Sequence, residues 1–209
     1  MKKRYRMMLG ILLVVLSLSV TPKAAFAENK AVTEIEVKNG EEFENAINTV
    51  NGASEGEYVI SLTGNVEISG ATIQSRCPVT ILGNGHTLKV AQYASIHVAE
   101  GAKVRLGSEK DGDLKICGVS EQSNDVPGLL HIKGTCDMYS GVSLSGREGN
   151  NYFGGGVTVE GGTFTMHGGV IENCGIRGGS VCYGGGVAVY YGGKFIMDGG
   201  EIKDCYADS

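Results

Sequence analysis

GGGVTVEGGTFTMHGGVIENC, residues 154–174, returns at residues 184–205 as GGGVAVYYGGKFIMDGGEIKDC, with one residue added before the second glycine pair. The period is 30 to 31 residues. Self-similarity at such a spacing marks a solenoid, whose units complete their cores only by stacking on one another. Within the first copy the apolar residues alternate in short groups: Val157 and Val159, Phe164 and Met166, then Ile171. The second copy matches them with Val187 and Val189, Phe195 and Met197, then Ile202. Period-two alternation means strands with one buried face. Glycine pairs and triplets between the groups supply positive φ or close backbone approach where the chain turns a corner. Three short strands per unit then make a three-sided tube. The positions between the inward residues, Thr158, Thr163 and Thr165 and then Ala188, Lys194 and Ile196, fit a solvated outer wall.

This glycine-punctuated pattern resembles the right-handed parallel β-helix of the pectate-lyase-like superfamily, in particular the repeat-rich surface proteins of bacteria. The resemblance runs from about Glu34 to the C-terminus and is clearest from Gly154 onward. Further back, Ile96-His97-Val98 and Leu130-His131-Ile132 take the place of Val157-Thr158-Val159, and residues 120–126 read as an insertion that loops out. The resemblance implies an all-β solenoid with an N-terminal helix plugging the mouth of the tube. Residues 41–50 carry Phe43, Ala46, Ile47 and Val50 at helical spacing, with Gly52 just past the end. Glu41 and Glu42 suit the positive end of that helix. A strand is expected at residues 34–37 and first-coil strands at 58–62, 66–68 and 79–82. The run Leu82-Gly83-Asn84-Gly85-His86-Thr87-Leu88 resembles the family's early turn, where Asn-Gly favours positive φ.

Residues 1–27 stand apart from this fold. Met1 to Arg6 is basic, Leu9 to Val20 is a mostly apolar stretch of twelve, and Ala25-Phe26-Ala27 is a small-x-small cleavage site. These are the parts of a secretory signal peptide cleaved after Ala27, and twelve residues are too few to span a bilayer core of about 30 Å. The chain therefore divides into a signal peptide at 1–27, an N-terminal cap of strand plus helix at 28–56, and β-helix coils at 57–209, one elongated domain that is secreted or held at the cell surface. The last unit breaks off four residues after Cys205, where the preceding unit runs ten residues from Cys174 to its next triplet. Missing C-terminal coils, or an edge covered by a partner, are the expected reasons.

Of 18 Lys and Arg, five precede Ala27 (Lys2, Lys3, Arg4, Arg6 and Lys23), which leaves 13 against 23 Asp and Glu and a mature net charge of about −10. Such a surface repels nucleic acid, whose binding needs clustered Lys and Arg, and gives no help with polyanionic uronates. The absence of a regular Asp after the glycines excludes calcium-binding nonapeptide repeats. Three prolines, and glycines without a three-residue period, exclude collagen. The ladder Thr163-Phe164-Thr165 is broken by Lys194-Phe195-Ile196, so an ice-binding wall is not expected.

Six cysteines in an exported chain permit disulfides. Cys174 and Cys205 hold the same place in consecutive units, so either a bridge clips coil to coil or the two thiols stack as small apolar side chains. No C-x-x-C spacing speaks for zinc. His97 and His131 occupy equivalent outward positions and would need a third ligand to hold a metal. The following coils offer Thr158 and Ala188 there, so both histidines are expected to be solvated wall residues, and no metal or cofactor is assigned. His167 is matched by Asp198, which marks a surface corner.

A lyase of the family needs calcium-binding carboxylates beside a base, and a fold-related hydrolase needs paired carboxylates. Glu109, Asp111 and Asp113 share a charged loop with Lys110 and Lys115, which reads as a hydrated turn. The expectation is an adhesin-like protein or surface scaffold that binds host or microbial glycans. Its weak candidate ligand-binding residues are Tyr190, Tyr191 and Tyr183, with Tyr139 and Tyr152 nearby, because phenol rings stack on sugars while their hydroxyls hydrogen-bond. The alternatives are a polysaccharide lyase-like enzyme whose catalytic coils lie outside this chain, and a structural stalk with no ligand.

Overall fold

The computed structural model describes residues 31–110, 113–119, 127–149, 154–177 and 183–208. Residues 1–27, expected to be a signal peptide, residues 120–126, Asp111, Tyr152 and Cys182 lie outside them. Among the described residues the chain winds a right-handed parallel β-solenoid of about six turns. Successive strands step round the tube and pair only with the equivalent strands one turn away, so every ladder is parallel.

The first sheet has seven strands, Val32–Val37, Glu57–Leu62, Val79–Leu82, Lys103–Leu106, Thr135–Met138, Thr163–Met166 and Lys194–Met197. The second has six, Val66–Ile68, Thr87–Val90, Lys115–Gly118, Ser143–Ser145, Val170–Glu172 and Glu201–Lys203. The third has five, Ala71–Ile73, Ile96–Val98, Leu130–Ile132, Val157–Glu160 and Val187–Tyr190. The three-strand coil expected from the repeats holds in the upper turns. Lower turns add a short fourth strand, in the ladder Glu148–Gly149, Gly175–Arg177 and Tyr206–Asp208.

Register converts the sequence repeat into columns of like side chains. Val66, Leu88, Ile116, Leu144, Ile171 and Ile202 lie over one another in the second sheet. In the first sheet Val79, Val104, Cys136, Phe164 and Phe195 do the same, and the Phe164 and Phe195 rings stack at 5.6 Å. Each rung is sealed by its neighbours. Phe164 and Met166 are fully buried, whereas the equivalent Met197 and also Val189 on the last rung are 45% exposed.

At the other end the mouth is plugged. Helix Gly40–Asn51 is capped by Asn39, whose side chain accepts from the Glu42 amide, and it buries Phe43, Ala46, Ile47 and Val50 on the first rungs. The carboxylate of Glu42 turns back to the Lys38 amide at 3.0 Å, which satisfies a further donor at the helix entry.

Corners repeat as faithfully as strands. Asn173 and Asp204, one residue before Cys174 and Cys205, both adopt left-handed φ of 51°, which Asn and Asp tolerate best among residues with side chains. The thiols that follow pack against the third glycine of the triplet that opens their own unit. A Cβ on Gly156 would lie 3.3 Å from Cys174 Sγ, and one on Gly186 would lie 3.3 Å from Cys205 Sγ. Cys174 and Cys205 are free thiols in the structure, each directed at a carbonyl of its own corner, Glu172 and Lys203. Burial pushes the Cys174 thiol up to about 12, so it stays protonated.

Arg147 is the one large charged side chain fully enclosed among the described residues. It crosses Gly118, where a Cβ would sit 3.0 Å from Arg147 Cδ, and its Nη1 reaches the Ala91 carbonyl at 3.4 Å. Its Nη2 has no partner, and burial lowers its pKa.

The stacked rings make a stability test. Phe164→Ala should cost about 3–5 kcal/mol in chemical denaturation. Phe195→Ala should cost less, because its ring on the last rung already meets solvent. Equal effects at the two positions would contradict the rung order.

Candidate functional site

Outward side chains of the third sheet bring the chemistry-bearing residues into one strip. His131 is the Cα partner of His97 above it and Thr158 below it, and Glu160 is the partner of Tyr190. Neighbouring strands lie about 4.7–4.9 Å apart, so His97 to Tyr190 spans three rungs, roughly 14 Å along the tube axis.

The upper part of the strip is a hydrogen-bonded chain. Glu160 Oε2 lies 2.7 Å from His131 Nε2, and Glu160 Oε1 lies 3.3 Å from Lys133 Nζ. A carboxylate can only accept, so His131 donates from Nε2 to Glu160 and turns its Nδ1 toward His97. His97 Nδ1 is 2.9 Å away, so one proton between the two nitrogens makes a hydrogen bond. Burial works to raise the Glu160 carboxyl, but the hydrogen bonds from His131 and Lys133 outweigh it and hold the group below its ordinary range. His97 is pushed below its ordinary value by burial first, then by His131 and Lys133. A depression of about 250 Å³ lined by Thr72, His97, Val98, Ala99, His131 and Lys133 opens over this chain. A second, about 510 Å³, continues past His97 to Ser95 and Tyr93.

The lower part is aromatic. The structure brings together all three tyrosines expected to bind ligand: Tyr183 meets Tyr190 edge-on at 5.8 Å, and Tyr190 lies 6.4 Å from Tyr191. Burial first, then Tyr183, pushes the Tyr190 phenol up to about 12, so it stays protonated. Tyr191 is the residue that the second repeat adds. It sits at φ 50° with its ring 82% exposed. A bulky side chain in the left-handed region costs on the order of 1–3 kcal/mol, and here a mostly exposed ring offers little packing to offset it. Tyr93, at φ 60° and 59% exposed, repeats this combination at the upper end of the strip.

Two expectations about this wall need correction. His131 is 8% exposed and Thr158 and Ala188 are buried, so the third-sheet wall is not uniformly solvated. Backbone folds over its lower part, where a Cβ on Gly154 would stand 3.0 Å from Ala188 Cβ. Thr158 Oγ1 beneath it has no hydrogen-bond partner. Sequence reasoning also passed over Glu160, Lys133 and Tyr93. The first two were within reach, since pairing Ile132 with Val159 places Lys133 beside Glu160.

Elsewhere the charged groups form ties between turns. His167 bonds Asp198 at 3.1 Å and stacks on Tyr139, confirming a paired surface corner. Glu109 and Asp113 are exposed. Among the described residues no three His, Cys, Asp or Glu side chains are arranged to hold a metal, and no helix is long and apolar enough to cross a membrane. No family model, curated protein or solved structure matches this chain.

The depressed His97 value gives a pH dependence of fixed sign. A base whose folded pKa lies below its unfolded value, about 6.5, contributes stability in full above that value and loses it as pH falls through the folded value. Denaturation midpoints of the wild type should therefore drop between pH 7.5 and 5.5, and His97→Gln should flatten the drop. An unchanged slope in the variant would contradict the half-buried, neutral His97.

Proposed function

We propose that this protein is a secreted, surface-associated β-helical protein whose third-sheet wall binds neutral glycans. One observation carries the reading: Tyr191 is inserted into an otherwise regular repeat, held in a left-handed conformation, and turned into solvent. Backbone strain kept for little packing return points to a role outside the fold. With Tyr190 and Tyr183 it makes a platform of the kind that stacks on sugar rings. Glu160, Lys133 and His97 continue it upward with donors and acceptors suited to sugar hydroxyls. The strip carries one carboxylate and one ammonium that offset each other, and the acidic mature chain favours uncharged polymers over polyuronates. The repeat architecture resembles that of bacterial surface proteins of the pectate-lyase-like superfamily, and residues 1–27 have the parts of an export signal.

A glycan array probed with the full chain tests the reading. Binding to neutral oligosaccharides should exceed binding to polyuronates. Tyr190→Ala and Tyr191→Ala should each weaken it roughly 2- to 10-fold, the worth of an aromatic contact, with an unchanged circular dichroism spectrum. No glycan bound, or binding indifferent to both substitutions, would overturn the proposal.

A further inference from the structure

The two facing imidazoles at the head of the strip have a use beyond sugar recognition. Their Nδ1 atoms are 2.9 Å apart, on Cα-paired positions of adjacent rungs, with ring centroids 4.9 Å apart. Glu160 accepts from Nε2 of His131 at 2.7 Å. That is the outer-shell arrangement that fixes a metal-ligating histidine, because it leaves the lone pair on the opposite nitrogen and raises its basicity. Nδ1 of His131 faces His97, and both rings line the 250 Å³ depression, which leaves room for water beside them.

We propose that His97 Nδ1 and His131 Nδ1 form a two-histidine site for a divalent transition-metal ion of the nickel or copper class. In the neutral pair one Nδ1 proton bridges the rings. The metal displaces that proton from a point off the N–N line, toward which both rings turn: the proton moves to Nε2 of His97, both Nδ1 lone pairs bind the ion, and two waters leave the aqua ion. No proton is lost and no electron moves.

Geometry selects the ion. With metal–nitrogen bonds of about 2.0–2.1 Å, a nitrogen separation of 2.9 Å subtends about 90° at the metal. That is the cis angle of square-planar and octahedral ions, the geometries of Cu²⁺ and Ni²⁺. A tetrahedral zinc would want the nitrogens about 3.3 Å apart at the same bond length, a wider pair than the one observed. Imidazole ligation and the ordering of divalent affinities favour the same ions. The charged groups facing the site are Lys133, which disfavours a dication, and Glu160, which lies 3.3 Å from Lys133 and offsets it. The protein contributes two ligands and water fills the remainder, an open coordination sphere.

Nickel avoids redox chemistry with the thiols and is the probe of choice. Substoichiometric Ni²⁺ added to the full chain should broaden the ring-proton resonances of His97 and His131 before those of His86 and His167. Calorimetry should give one Ni²⁺ per chain, bound more tightly than Zn²⁺. His97→Gln should weaken Ni²⁺ binding at least roughly tenfold, and Glu160→Gln by about tenfold through the lost outer-shell bond. His97 is only half-buried, so its variant tests the site even if a His131 substitution fails to fold. Broadening of His86 or His167 first, or Ni²⁺ affinity unchanged in His97→Gln, would overturn the proposal. None of these readouts involves a glycan, so the metal site and the tyrosine platform stand or fall separately.

Discussion

Every feature of this molecule depends on the parallel backbone ladder between successive turns. Because each strand pairs only with its equivalent one turn away, spacing along the axis is fixed near the 4.7–4.9 Å of any sheet, and like residues are forced over like. That constraint explains why the interior tolerates few substitutions of kind: a column such as Leu88, Ile116, Leu144, Ile171 and Ile202 can vary in branching but not in polarity. It also explains the uneven burial of equivalent residues, since a rung is closed only when another lies on each side.

The same ladder builds the wall. Residues that are far apart in sequence, such as His131 and Glu160 at a separation of 29, become neighbours because one turn of the solenoid separates them. Cross-turn pairs recur around the tube, with Lys89 on Glu67, Lys203 on Glu172 and His167 on Asp198. Exposed pairs of this type add little stability. Their effect is to fix which side chains stand side by side on a rigid surface, and rigidity is what a platform of tyrosines or a pair of imidazoles requires.

Much of this was legible in the repeats. Period-two alternation and glycine punctuation place the strands at residues 66–68 and 79–82 with the bounds found, and the helix at 41–50 extends by one residue at each end, to Gly40–Asn51. The fourth short strand escaped because Gly175-Ile176-Arg177 offers one apolar side chain, too few to show a period. Burial of Arg147 escaped for a different reason: Ser145-Gly146-Arg147-Glu148 has the composition of an exposed turn, and only the space above Gly118 reveals otherwise. The tyrosines were found by residue type. What singles out Tyr191 is its backbone conformation, which the extra residue in the second repeat foreshadows. Histidine pairing was visible as a shared position, but the hydrogen bond that orients it comes from Glu160, one turn below.

Rung-on-rung stacking is tested most directly by cross-strand nuclear Overhauser contacts in solution. Parallel pairing predicts amide-to-α contacts linking Val157 through Val159 with Val187 through Val189, together with ring contacts between Phe164 and Phe195. Close α-to-α contacts between sequence-adjacent strands, the mark of antiparallel hairpins, would contradict it.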